Sequence, residues 1–256
     1  MILCIDIGNT NIVLGLYKDS KLIKTFRIET DSNKTYDEYG IMFLELFKYN
    51  DINYKDVTGI IYSSVVPKID SSIDKLSKKY FNIDAICVGP GIKSIVNIKI
   101  DNPKELGADL LVGAVGASTK YGTNILIIDM GTAITFSYVN AKNEYVGGAI
   151  LPGIHISYQG LFSKASKLEE VAFDECDNVL GKDTKTCIQS GMIFGFTSMI
   201  EGMIERYIEK FGPMKVVITG GESVIISKYI NKKYQVITDD NLLLDGLLAL
   251  YERNHQ

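Results

Sequence analysis

The sequence predicts an α/β protein built from two copies of one unit, and three observations carry that prediction. Short runs that are apolar throughout recur at Ile2–Ile7, Gly59–Val66, Ala85–Val88, Ile125–Ile128 and Val216–Ile218. Strands of this kind are buried on both faces of a sheet covered by helices. Between them lie segments whose apolar residues are spaced by three and four, as one face of a helix requires. Finally, Ile2-Leu3-Cys4-Ile5-Asp6-Ile7-Gly8-Asn9-Thr10 is echoed by Ile125-Leu126-Ile127-Ile128-Asp129-Met130-Gly131-Thr132-Ala133. Both copies end a strand in Asp-x-Gly. Each continues with alternating apolar residues (Ile12, Leu14, Leu16; Ile134, Phe136, Tyr138), a polar turn and a further strand. A repeated β-β-β opening implies two lobes, near residues 1–115 and 116–256, with a cleft between them.

The helices follow in order. Tyr36, Tyr39, Phe43, Leu44 and Phe47 form the first stripe, and Asp37 and Glu38 favour its start against the helix dipole. Ile69, Ile73, Leu76 and Tyr80 form the second. A third helix is expected to begin near Pro103, because proline suits a first turn. Thr184 to Phe211 is the longest helical candidate, with Gly191, Gly195 and Gly202 placed to bend it or to admit a neighbouring helix. The last helix is expected from about Asn241 to Arg253.

Composition narrows the class. With 46% hydrophobic and 23% charged residues, 23 Gly and 5 Pro in 256, the chain is a folded globular protein rather than a disordered or collagen-like one. A net charge of −4 provides no broad basic surface, so nucleic acid is not an expected partner. Cys4, Cys87, Cys176 and Cys187 lack paired spacing and read as reduced thiols, with Cys4 and Cys87 inside apolar runs where small buried residues are usual. The N-terminal apolar run meets Asp6 too soon for a signal peptide, and no later segment is long enough to span a membrane. The expectation is a cytoplasmic protein. His155 and His255 stand apart from the cysteines, which argues against a zinc cluster. Ser63-Ser64 lacks the Gly-x-Ser-x-Gly elbow of a serine hydrolase.

The chemistry concentrates at the strand ends. Asp6-Ile7-Gly8-Asn9-Thr10-Asn11 closes a buried strand with a carboxylate and then a glycine turn carrying hydroxyl and amide groups. Glycine lets backbone N–H groups approach a phosphate, Thr and Asn can donate to it, and Asp6 can hold hydrated Mg²⁺. A plain polar hairpin turn uses the same residue types. Recurrence at Asp129-Met130-Gly131-Thr132 shifts the balance, because a cleft between two copies would set both carboxylates against one phosphate chain. Val216-Val217-Ile218-Thr219-Gly220-Gly221 adds a third glycine-rich strand end, suited to close approach of an adenosine.

Two Asp-x-Gly hairpins and a late Thr-Gly-Gly resemble the phosphate and adenosine motifs of the sugar-kinase, heat-shock ATPase and actin superfamily. That likeness implies duplicated ribonuclease H-like (actin-like ATPase) domains, two lobes with a nucleotide cleft between them. A closer resemblance is carried by Asp6 to Asn11, Lys34-Thr35 with Asp37-Glu38-Tyr39, Ser63-Ser64-Val65-Val66-Pro67, Gly89-Pro90-Gly91, Asn102-Pro103 with Gly107-Ala108-Asp109, Asp129 to Ala133, Gly147-Gly148 with Pro152-Gly153, and Thr219-Gly220-Gly221. In this order, running nearly end to end, they resemble the type III pantothenate kinases.

The resemblance implies ATP-dependent phosphorylation of pantothenate to 4′-phosphopantothenate, the first step of coenzyme A biosynthesis, by a homodimer using Mg²⁺ and a monovalent cation, K⁺ or NH₄⁺. It also implies roles, residue by residue. Asp6, Ile7, Gly8, Asn9, Thr10, Asn11, Ile12 and Val13 match the ATP phosphate segment, and Thr132 a second phosphate contact. Asp129 matches the monovalent-cation ligand and Asp109 the general base. Ile100, Gly107, Ala108, Asp109 and Leu110 fall on the acceptor-binding segment, and Thr184 matches a substrate-contacting threonine from the partner half or subunit.

The departures lie on the acceptor side: Leu110 stands where the family usually has Arg, Gly113 where it has Asn, and Ile100 where it has Tyr. Losing the Arg removes a permanent charge and up to five donors, worth roughly 1.5–3 kcal/mol or about one to two decades in affinity. The expectation is retained ATP binding with weakened or altered acceptor binding. The alternatives are a degenerate nucleotide-binding homologue with a regulatory or accessory role, and a kinase of another small alcohol.

Overall fold

Strands β1 (Ile2–Ile7), β2 (Asn11–Lys18) and β3 (Lys21–Glu29) form an antiparallel meander in the computed structural model, which describes residues 1–165 and 167–255. β4 (Gly59–Ser64) and β5 (Ile86–Cys87) add to it in parallel, giving the order β3-β2-β1-β4-β5. These strands belong to the first of two units, Met1–Asn97 with Asp101–Lys120 and Leu242–Gln256; the second is Ile98–Ile100 with Tyr121–Asn241. The final bound read from the sequence, residue 256, lies outside the described residues.

Helix α1 (Tyr36–Lys48) links β3 to β4 and starts where local chemistry dictates. The Thr35 hydroxyl accepts from Glu38 N at 3.3 Å, and the Glu38 carboxylate accepts from Thr35 N at 2.7 Å. This reciprocal cap satisfies two amides that the helix itself leaves unpaired. Tyr39, Phe43 and Phe47 then bury one stripe against Ile5, Ile7, Ile12, Leu14 and Phe26. α2 (Pro67–Leu76) opens on a proline and runs on through a π-helical turn, Ser77–Phe81. Cys4 is buried, but Cys87 is exposed, contrary to its placement in the apolar run, because β5 is a two-residue strand at the sheet edge.

The helix expected at Pro103 begins later. Pro103–Glu105 forms a separate 3₁₀ turn that Leu106 ends in extended backbone, and α3 (Ala108–Tyr121) starts beyond Gly107.

The second unit repeats the first. Its sheet runs β11-β10-β7-β8-β9-β6, from β6 (Asn97–Ile98), β7 (Ile125–Met130), β8 (Ala133–Val139), β9 (Glu144–Pro152), β10 (Lys215–Thr219) and β11 (Ile237–Thr238). Read from β9 to β11, this is the order of the first sheet with β6 added at its outer edge. The register repeats as well: Asp6 pairs Val13 one step before the last pair, Ile7 with Ile12, and Asp129 pairs Thr135 one step before Met130 with Ile134. Residues 8–11 close the first turn and 131–133 the second, so the second is one residue shorter.

Around this sheet lie α4 (Ile154–Lys164), α5 (Thr184–Ser190), α6 (Phe196–Phe211) and the single turn α7 (Ser223–Ile226). The Thr184–Phe211 segment is interrupted at Gly191–Gly195, which forms a π-helical turn between α5 and α6. The sequence pattern does not predict α4, in which only Ile154 is buried. The core gathers Leu126, Ile128, Ile134, Phe136, Ile200 and Ile204.

The chain then returns to the first unit as α8 (Leu242–Asn254), whose Leu244 packs on Gly15 and Tyr251 on Gly59. α3 and α8 cross at glycines: a Cβ on Gly116 would lie 2.2 Å from Leu242 O, and one on Gly246 2.1 Å from Val112 O. Among the described residues no helix is long and apolar enough to cross a membrane.

Candidate functional site

The first Asp-x-Gly turn is held by the strand beside it. Gly8 N donates to Asn11 O at 3.0 Å, Thr30 N to Thr10 O at 3.0 Å, and Thr30 Oγ1 to Gly8 O at 2.7 Å. Asn9 and Thr10 are exposed at the tip, whereas Ile7 and Ile12 point into the core. Ile7 and Ile12 therefore offer a ligand only their backbone groups. Asp6 accepts a 2.7 Å hydrogen bond from Ser63 Oγ, its partner across the parallel β1–β4 pair. Burial pushes the Asp6 carboxyl up to about 6, and the charge of Asp109 adds to the rise, against the lowering effects of Ser63 and Arg27.

Asp109 occupies the first turn of α3. Its Oδ1 accepts from Leu110 N at 2.8 Å, and burial raises its pKa despite that bond. The carboxylate folds back over Gly107, where an added Cβ would sit 2.5 Å from Asp109 Oδ1. Gly107 thus sets the direction of Asp109. The first unit brings Asp6 and Asp109 into one electrostatic neighbourhood, two carboxyls that both resist ionisation and repel each other. Gly107, Ala108 and Leu110 share the Asp109 segment, whereas Ile100 belongs to the second unit.

In the second unit, Gly131 N donates to Ala133 O at 3.0 Å, and Asp129 lies beside Thr219 on β10 as Asp6 lies beside Ser63 on β4. Backbones crowd this turn. A Cβ on Gly153, at the start of α4, would fall 2.3 Å from Gly131 O and 2.5 Å from Thr132 O. Gly220, at φ +96°, would place one 2.4 Å from Met130 O. Only glycine fits either position, which explains the Pro152-Gly153 and Thr219-Gly220-Gly221 motifs physically. The His155 ring meets Glu222 at 3.2 Å across the same cluster. Thr184 is exposed at the first position of α5, behind the Asp183 cap.

Ser63 has no role legible in its sequence motif; parallel pairing to Asp6 supplies one, as a fixed donor that orients the carboxylate. A hydroxyl at the end of a strand neighbouring Asp-x-Gly is the signal that would have found it.

Comparison with known proteins bears on this arrangement. The type III pantothenate kinase family model matches residues 2–206. A type III pantothenate kinase of Citrifermentans bemidjiense is 46% identical over 99% of this chain and 100% of its own. One from Myxococcus xanthus is 42% identical over 100% and 99%. Among solved structures, a ROK family glucokinase from Streptomyces griseus in complex with glucose and AMPPNP superposes with a TM-score of 0.52 at 13% identity, covering 100% of this chain and 99% of that one. An inorganic polyphosphate/ATP-glucomannokinase from Arthrobacter sp. strain KM superposes with a TM-score of 0.51 at 15% identity, covering 99% and 98%. At such identities these two structures establish the fold, the two-lobe ATPase architecture of the actin-like sugar kinases.

Proposed function

The chain belongs to the type III pantothenate kinase family, and we infer that it phosphorylates pantothenate to 4′-phosphopantothenate with ATP as donor, the first step of coenzyme A biosynthesis. The observation that carries the reading beyond family membership is Asp109, a half-buried carboxyl on a helix start whose charge is felt by Asp6 at the glycine turn.

Asp109 accepts the proton of the pantothenate hydroxyl as that oxygen attacks the γ-phosphorus. Its raised affinity for a proton suits a base, and positioning with electrostatics supplies most of the acceleration in phosphoryl transfer. Gly107 and the Leu110 amide aim the carboxylate. The backbone of residues 7–13 and the Asn9, Thr10 and Asn11 side chains hold phosphate oxygens, with Thr132 a second contact, while Asp6 faces the same chain through the cation it would carry. Ile100, Gly107, Ala108 and Leu110 border the acceptor, and Thr184 reaches it from a partner.

Two carboxyls that oppose each other's charge suit a divalent cation, so Asp6 is the residue that would hold Mg²⁺. Asp129, with the hydroxyl residues Thr219 and Thr135 beside it in the sheet, offers hard oxygen donors to K⁺ or NH₄⁺. These cations supply charge neutralisation of the phosphate chain when bound. Family membership supports a homodimer, and the four free thiols support a reducing, cytoplasmic setting.

The test is mass-spectrometric detection of phosphopantothenate from ATP, Mg²⁺ and pantothenate, with and without K⁺. Potassium-dependent product is expected. Measurable ATP binding without product would move the assignment to another small alcohol or to an accessory role.

A further inference from the structure

The register of the first sheet aligns four residues across four strands: Ser63 with Asp6, Asp6 with Val13, and Val13 with Arg27. Directly paired residues project to the same face, so Arg27 stands on the face that carries the Asp6 carboxylate. Its neighbours in β3 confirm the direction. Phe26 and Ile28 point the other way, into the core, with the Phe26 ring 5.9 Å from Phe47.

Strands lie about 4.8 Å apart, so two spacings separate Arg27 from Asp6 along this row, and the one residue between them is the small Val13. The guanidinium charge is felt at Asp6 over that distance. Arg27 is exposed, and among the described residues its side chain makes no hydrogen bond or ion pair. The adjacent row, Cys4, Gly15 and Thr25, is capped by Leu244 of α8, which leaves Arg27 at the rim of the covered region.

The surroundings call for a cation. Asp6 and Asp109 share the site's negative charge, and Leu110, next to Asp109, is apolar. A polyphosphate approaching the Gly8 turn meets both carboxylates. A planar, permanently charged fork matches phosphate oxygens in pairs.

We propose that Arg27 is a phosphate-binding residue of the nucleotide site, reaching along the Ser63–Asp6–Val13 row to a terminal phosphate oxygen of the donor. The proposal rests on the kinase reading above and adds a contact outside residues 6–13 and Thr132.

The test compares the wild-type full chain with Arg27→Gln and Arg27→Lys. Arg27→Gln is expected to raise the KM for ATP by about one to two decades, the worth of a charge-assisted bond, while the KM for pantothenate changes less than twofold. Arg27→Lys restores part of the loss, since the charge returns without the fork. Calorimetric titration with tripolyphosphate, which needs no acceptor, should show the same ranking. An unchanged KM for ATP overturns the proposal, as does an equal rise in both KM values accompanied by a lowered thermal midpoint. If the wild type yields no phosphopantothenate, the kinase reading fails, and the tripolyphosphate titration still decides the role of Arg27.

Discussion

The hydroxyl of Ser63 donates to the carboxylate of Asp6 from the adjacent parallel strand, over 2.7 Å, and burial nevertheless holds that carboxyl at a pKa of about 6. One hydrogen bond does not offset the desolvation of a charge placed at the end of a buried strand. The protein carries an ionised Asp6 at neutral pH at a cost to its own stability.

That cost is measurable. A folded-state pKa of about 6 lies above the ordinary value of 3.8, so between the two the folded protein binds a proton that the unfolded chain does not. Stability contributed by this group is greatest below pH 4 and declines as pH rises through 6. Across about two pKa units the penalty above pH 7 is on the order of 3 kcal/mol. Asp6→Asn keeps an acceptor for Ser63 and removes the charge. Thermal unfolding of the ligand-free protein should show the variant more stable at pH 7.5 and indistinguishable from wild type near pH 4. Equal midpoints at pH 7.5 would contradict this account.

Asp109→Asn should lower kcat by at least two decades, because general-base catalysis contributes about that much, while the dissociation constant for ATP stays within about twofold. Single-turnover rates and nucleotide titration separate the two effects. A variant as active as wild type would remove Asp109 as the base.

Leu110→Arg is expected to lower the KM for pantothenate by about one to two decades, by returning a charge and a donor fork beside the base. The KM for ATP serves as the internal control. No change in either constant would show that position 110 does not face the acceptor.

Gly153→Ala should destabilise the protein by about 1–3 kcal/mol and weaken ATP binding, because its Cβ would overlap the carbonyls of Gly131 and Thr132. Gly202→Ala in α6 provides the contrast, since a Cβ there meets nothing within 4 Å. That substitution should be neutral or stabilising by up to about 1 kcal/mol. Denaturant midpoints of the two variants, measured together, should diverge in opposite directions.

The strands and most helices were legible because they obey simple periods. β1, β4, β7 and β10 are apolar on both faces, and α1 carries its stripe together with a Thr35–Glu38 cap. α4 was hidden because its Ile154-His155-Ile156-Ser157-Tyr158 opening mixes β-branched, aromatic and polar residues, only Ile154 is buried, and Gly160 interrupts it. The start of α3 was misplaced because Pro103 satisfies a 3₁₀ turn as readily as an α-helix. At the site, the Asp-x-Gly repeat was readable as sequence. The Ser63–Asp6–Val13–Arg27 row was not, since pairing partners 57 residues apart become neighbours only once the sheet order exists. The backbone crowding that makes Gly153 and Gly220 obligatory likewise depends on elements remote in the chain.

The return of α8 to the first sheet sets an order of events during translation. Gly15 and Gly59 are shaped to receive Leu244 and Tyr251, which leave the ribosome more than 180 residues later. The nascent first sheet therefore waits with that face uncovered by α8 while the main segment of the second unit, Tyr121–Asn241, is made. The stretch translated first is the last to be finished. A chain ended before Leu242 and released from the ribosome would keep that face of its first sheet open to a chaperone.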